Sequence, residues 1–183
     1  NLYAPEISPK GNRIAFTAAQ GSSQSIWVMK IDGGNARPLS EGNTDIDPSW
    51  SPDSARILFA SSRTGKTELH IMNADGSNPK PVMNGGPEVE GRNDWSPNGE
   101  WLAFYAGPDG DHDIFMVDPS GRNLQQLTDG GDNLAPSFSP DSDWIAFTSY
   151  RDGNNEIYIL NLDGGVYRLT NDPLSQWQPR WGP

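Results

Sequence analysis

The 183 residues contain no cysteine, which excludes disulfides and thiolate metal sites. Histidine is nearly missing as well, with only His70 and His112. A serine hydrolase needs a Gly-x-Ser-x-Gly elbow and a histidine base, and no such elbow occurs. No apolar run approaches the ~18 residues of a membrane helix, so membrane insertion is not expected. Basic residues are few, 13 Lys and Arg against 24 Asp and Glu, for a formal charge of −11. Nucleic acid and anionic membrane surfaces both demand clustered Lys and Arg, so neither is expected as a partner. The surplus negative charge reads as a solvating one. The chain opens at Asn1 with no Met and no basic-plus-apolar leader. It is therefore read as a mature, trimmed or excised chain, with any signal peptide outside it.

What is abundant is turn chemistry: 20 Gly and 16 Pro, falling at regular places. In Pro136–Thr170 four short apolar runs are separated by three turn signals. Ser139-Pro-Asp-Ser142 suits a type I turn, with Pro preset at its second position. Arg151–Asn155 and Asp163-Gly-Gly165 suit hairpin connections. The runs between them are rich in β-branched and aromatic residues, which predicts a four-stranded antiparallel meander.

The same pattern recurs at Pro5–Gly11, Pro48–Ser54 and Asn93–Gly99. Ser8, Ser51, Ser96 and Ser139 mark the phase at intervals of 43, 45 and 43 residues. Pro179–Pro183 opens a fifth copy. Four strands per ~40–50-residue repeat are the signature of β-propeller blades. The expected fold is all-β, a single array of four blades over residues 1–40, 41–83, 84–128 and 129–170. A surplus inner strand, Gln178–Gly182, follows within residues 171–183. In each second strand the pairs Ile14/Phe16, Ile57/Phe59, Leu102/Phe104 and Ile145/Phe147 are expected on one face. Ala15, Leu58, Ala103 and Ala146 are then expected to face the neighbouring blade. Trp50, Trp95 and Phe138 share one inner-strand position and are expected to pack between blades.

The chain resembles the TolB-like propeller repeat. The residues that carry the likeness are Asp45-Ile-Asp-Pro-Ser-Trp-Ser-Pro-Asp53, Ile145-Ala-Phe147, Arg151-Asp-Gly153, Ile157-Tyr158 and Arg168-Leu-Thr170. The resemblance implies a non-enzymatic scaffold that binds a protein or peptide partner in a periplasmic or extracellular location, without a cofactor. It equally covers the non-catalytic propeller portion of serine peptidases and lyases. Fold likeness alone assigns no site.

Three places carry candidate chemistry. His70 is read as an aromatic-like packing or surface position and His112 as a solvated loop residue. Asp109, Asp111 and Asp113 have the spacing that opens a calcium loop, but Ile114 and Ser120 stand where that loop needs Gly and Glu. The third place precedes each inner strand, where the chain should rim the central channel and where the repeats differ most. Aligned on the proline, the third residue before it is Leu2, Asp45, Glu90, Asn133 and Gln176. The residue immediately before it is Ala4, Asp47, Arg92, Ala135 and Gln178, and Tyr3 and Trp177 lie between. Tyr3, Asp45, Asp47, Glu90, Arg92, Asn133, Gln176 and Trp177 are thus the expected partner-binding mouth, through aromatic and Arg anchors or as a small polar-ligand site. The competing reading has Asp45 and its equivalents bonding backbone amides of the next turn. Four blades lie at the lower limit of known rings, so two copies closing an eight-bladed ring are expected, the competing reading being a piece of a longer propeller whose surplus strand marks where it was cut.

Overall fold

The computed structural model describes residues 1–41 and 44–181; Gly182, assigned above to the surplus strand, lies outside them. The first sheet comprises β1 (Leu2–Ile7), β2 (Arg13–Gln20), β3 (Ser23–Lys30) and β4 (Arg37–Pro38). The second comprises β5 (Asp45–Trp50), β6 (Arg56–Ser61), β7 (Glu68–Asn73) and β8 (Lys80–Pro81). The third comprises β9 (Val89–Trp95), β10 (Leu102–Ala106), β11 (Asp113–Val117) and β12 (Gln125–Gln126). The fourth comprises β13 (Asn133–Phe138), β14 (Trp144–Ser149), β15 (Glu156–Asn161) and β16 (Gly165–Arg168). Each is an antiparallel meander in chain order, so the architecture is a set of propeller blades.

The serine of each repeat earns its place by hydrogen bonding. Ser51 Oγ accepts from Arg56 N–H at 2.8 Å and donates to Asp53 Oδ1 at 2.6 Å. Ser96 does the same with Trp101 N–H at 2.9 Å and Asn98 Oδ1 at 2.7 Å. A buried hydroxyl with both roles filled closes the turn between the first two strands.

Between blades the alternation works as period-2 patterning requires. Ala15, Ile26, Val28 and Leu39 of the first sheet meet Trp50, Ile57, Phe59 and Met72 of the second in one cluster. Leu58, Leu69 and Ile71 meet Trp95, Leu102 and Phe104, and Ala103 and Ile114 meet Phe138, Ile145 and Phe147. Trp50, Trp95 and Phe138 are each no more than 4% exposed. Arg13 and Arg56 stack over the Trp50 and Trp95 rings at 4.6 and 4.7 Å, adding a cation–π contact to the burial.

The inner strands are also linked in series by one repeated hydrogen bond. Trp50 N–H donates to Glu6 Oε1 at 2.8 Å, Trp95 N–H to Ser49 Oγ at 3.2 Å, and Phe138 N–H to Asp94 Oδ2 at 2.7 Å. The segment after the fourth sheet continues the series with Trp181 N–H donating to Ser137 Oγ at 3.5 Å, and its Gln178 N–H donates to Thr148 Oγ1 at 2.9 Å as Asp47 N–H does to Thr17 Oγ1 at 3.0 Å. Residues 178–181 therefore run where an inner strand of a fifth blade would lie. No comparable packing joins the first sheet to the fourth among the described residues.

Candidate functional site

The inner strands share one backbone device. Ala4, Asp47, Ala135 and Gln178 all have left-handed φ, between 48° and 53°. Strand pairing jumps beside three of them, between Tyr3 and Glu6, Ile46 and Ser49, and Leu134 and Ser137. This is a β-bulge, which bends a strand and re-aims a side chain. A non-glycine residue in that region is uncommon, and strain of this kind gathers at functional sites. In the third sheet the bulge holds one extra residue, one of the two by which the 45-residue interval exceeds 43. Gly91 takes the positive φ, at 143°. A Cβ there would lie 3.1 Å from both Asp47 Oδ2 and Tyr105 Oη, so glycine lets those two groups approach.

The bulges surround a cavity of about 420 Å³ lined by residues of all four sheets and of the C-terminal segment. Tyr3, Asp47, Arg92 and Trp177 of the expected mouth are brought together here, with Tyr105 and Leu134. Tyr105 was not singled out from the sequence, because it lies on β10 rather than before an inner strand. Its hydroxyl donates to Glu90 O at 3.0 Å. Burial, then the Asp47 charge, pushes its pKa up to about 12, so it is a neutral hydrogen-bonding group. Arg92 is half-buried and makes no hydrogen bond or close ion pair among the described residues; burial and the neighbouring Arg180 charge both work against its charged form. The Asp47 carboxylate likewise accepts no hydrogen bond, and its pKa is raised by burial.

The other expected mouth residues sit elsewhere. Asp45 and Asn133 are fully buried. Asp45 Oδ2 accepts from Arg63 Nη2 at 3.0 Å, and Asn133 Oδ1 from Arg151 Nη2 at 3.0 Å. The expected bond from Asp45 to backbone amides is replaced by this side-chain pair. Arg63 and Arg151 also stack on Phe59 and Phe147. The Asp and Arg of the repeat pattern are therefore structural partners, a pairing set by the Asp45–Ser61 register. Because of the extra bulge residue, Val89 rather than Glu90 pairs at the place of Asp45, opposite Ala106, and Glu90 is exposed. Gln176 is half-buried, its N–H donating to Asn155 O at 2.7 Å.

Beneath the cavity three charges meet. Arg180 Nη1 lies 3.2 Å from Asp94 Oδ1 and its Nη2 lies 3.5 Å from Glu6 Oε2. One guanidinium of the fifth inner segment thus bridges the first and third sheets. Burial, then the Asp94 charge, pushes the Glu6 pKa up to about 7.

The remaining candidates do not converge on a centre. Asp109 and Asp111 are exposed, whereas Asp113 Oδ1 accepts from Thr128 Oγ1 at 2.8 Å and Asn133 Nδ2 at 3.1 Å. No three metal-ligating side chains gather among the described residues. His70 is fully buried beside Phe59, with Nδ1 3.2 Å from Glu68 O. His112 is not solvated as its loop position suggested. It is 8% exposed, holds Asp132 Oδ1 at 2.6 Å and meets the Tyr105 ring edge-on.

Comparison with known proteins agrees with this architecture. The profile of the TolB beta propeller domain (PD40) matches residues 1–130 and 83–183. The Tol-Pal system protein TolB of Anaeromyxobacter dehalogenans strain 2CP-1 is 43% identical over 51 residues, covering 27% of this chain and 12% of that protein. A TolB-assigned protein of Agrobacterium tumefaciens superposes with a TM-score of 0.84 at 27% identity, over 98% of this chain and 65% of that one. TolB of Acinetobacter baumannii superposes at 0.81 and 23% identity, over 97% and 45%. The chain thus spans about an eighth of the curated relatives it matches. The fold alone is also shared with a puromycin-hydrolyzing peptidase of Mycobacterium tuberculosis, at 17% identity and a TM-score of 0.76, over 93% of this chain and 29% of that one. It is shared too with an oligogalacturonate lyase of Vibrio parahaemolyticus, at 13% and 0.70, over 92% and 52%. With its profile matched from end to end, the chain belongs to the TolB β-propeller family.

Proposed function

We propose that this propeller is a non-enzymatic scaffold that binds a protein or peptide through the channel mouth. The observation that carries the reading is the cavity, which gathers Tyr3, Asp47, Arg92 and Trp177 from distant parts of the chain. Trp177 is 57% exposed at its rim, and aromatic and Arg side chains dominate binding hot spots. Among the described residues no serine or threonine hydroxyl is hydrogen-bonded to either histidine: His70 is fully buried with Nδ1 on the Glu68 carbonyl, and His112 Nδ1 meets Asp132. Family membership goes with a periplasmic or extracellular location, and no helix among the described residues is long and apolar enough to cross a membrane. The test is capture of a partner from a bacterial envelope fraction, followed by affinity measurement. Arg92→Ala and Trp177→Ala should each weaken binding by ~2 kcal/mol or more with unchanged folding. Equal binding by both variants would overturn the reading. So would hydrolase or lyase turnover abolished by His70→Ala or His112→Ala.

A second copy is proposed as a further partner, because the two outer flanks are bare where inner flanks are covered. Leu169 is 58% exposed where its equivalents Leu39 and Val82 are each 9% exposed. Ile7 is 58% exposed where Trp50 and Trp95 are 3% and 4%. Apolar flanks of this kind favour association, and two arcs on a twofold axis would bury both in matching interfaces. Light scattering should give twice the 20.0 kDa monomer mass; a monomer at high concentration would exclude the eight-bladed ring.

A further inference from the structure

The cavity holds two opposite charges, Arg92 and Asp47, that feel each other electrostatically but leave their hydrogen-bonding groups unused among the described residues. Arg92 offers the five N–H donors of a guanidinium and makes no hydrogen bond or close ion pair among the described residues, while Asp47 accepts none on its carboxylate. The two also do not form a close pair with each other, although both line the same space. Elsewhere in the molecule arginines find side-chain partners whether half-buried or exposed: Arg63 in Asp45 and Ser61, Arg151 in Asn133 and Ser149. Arg180 is satisfied by Asp94 and Glu6. Arg92 and Asp47 have no such hydrogen-bonded partner among the described residues, and both are presented by the inner-strand bulges. Around them stand Tyr3, Tyr105, Leu134 and Trp177, an apolar and aromatic wall.

A half-buried charged group that makes no hydrogen bond is costly, and a ligand that supplies charge-assisted hydrogen bonds to both recovers part of that cost. A ligand suited to this space carries an anion and a cation joined by a short spacer, with an apolar side group. At about 420 Å³ the cavity is in the range of small-ligand sites and is too small for a folded domain to enter. We propose that the cavity binds short peptides with both termini free, the carboxylate on Arg92, the ammonium on Asp47, and an apolar side chain against Tyr3, Tyr105 and Trp177. This rests on the channel-mouth reading and gives it a ligand class. Capture of terminal charges is an established mode of peptide recognition.

Calorimetry with Ala-Leu and Ala-Leu-Ala tests it, each as the free, N-acetylated and C-amidated form. Either free peptide should bind, and each cap should weaken binding by about tenfold or more, the scale of one lost charge-assisted hydrogen bond. Arg92→Gln should abolish the effect of amidation alone, and Asp47→Asn that of acetylation alone. Should a variant fail to fold, the capping series on the unaltered protein still decides. Absence of binding by both free peptides overturns the proposal, as does equal affinity for capped and free forms. So does capping discrimination that survives in both variants. Any of these results combined with loss of a captured protein partner in Trp177→Ala would remove the peptide class while leaving the channel-mouth reading standing.

Discussion

Replacing Glu6 by Gln should make the protein more stable at neutral and alkaline pH, and progressively less so on acidification. Glu6 Oε1 accepts the Trp50 N–H, whereas Oε2 is buried with no hydrogen-bond partner among the described residues and lies 3.5 Å from Arg180 Nη2. Burial and the Asp94 charge raise its pKa from 4.5 to about 7. In that window the folded chain holds a proton that the unfolded chain has released, so stability falls as pH rises, and the penalty is complete above the folded value. At ~1.4 kcal/mol for each tenfold change in proton affinity, the ceiling is about 3 kcal/mol. Gln keeps the acceptor for Trp50 but loses the contact with Arg180, a partly exposed pair worth ~0–1 kcal/mol. The variant should therefore lead by about 1–2 kcal/mol at pH 8 and lose that lead below pH ~5. Urea midpoints of both proteins across this range give the difference curve. Carboxylates with lowered pKa, such as Asp53 and Asp141, titrate alike in both chains and cancel. A difference that does not change with pH would refute the argument, as would a variant that is weaker at pH 8.

Trp95→Ala should cost ~3–5 kcal/mol, the usual toll of truncating a buried Trp, because Trp95 is 4% exposed in the second inter-blade cluster; a denaturation loss under about 1 kcal/mol, the surface scale, would show that this cluster carries little. Gly121→Ala should lower the thermal midpoint sharply, since a Cβ at φ 79° would fall 1.9 Å from Val82 O of the preceding blade, and an unchanged midpoint would contradict that close approach. Ala135→Gly should leave stability unchanged or raise it by up to ~1 kcal/mol, because relief of a left-handed φ of 52° offsets the flexibility that glycine adds to the unfolded chain; a loss above ~1 kcal/mol in urea unfolding would mean the bulge is not strained.

The blades were legible because their determinants are local and repeated. The Ser-Pro-Asp turn, the Phe of the second strand and the inner Trp each act within one repeat or against its immediate neighbour, so a single copy explains all four. Long-range pairing was less accessible. Asp45 and Arg63 stand 18 residues apart, and only the antiparallel register of β5 on β6 brings them together. The same register argument applies to Asn133 and Arg151, so a recurring acceptor with an Arg two residues past a β6- or β14-terminal serine was the signal available. His112 could not be placed, because its burial depends on Asp132, just ahead of β13, and on Tyr105 of β10. The cavity was half legible for a specific reason. Counting back from the proline finds the residue that the bulge presents inward, but it treats the third residue as equivalent, although that side chain is back in the ladder and turned toward the blade. The left-handed bulge thus separates two neighbouring positions physically. Asp45 and Asn133 hold the blades, while Ala4, Asp47, Arg92, Ala135 and Gln178 set the chemistry of the cavity. Substitution at those five positions changes the lining of the cavity and leaves untouched the apolar clusters that stack one blade on the next.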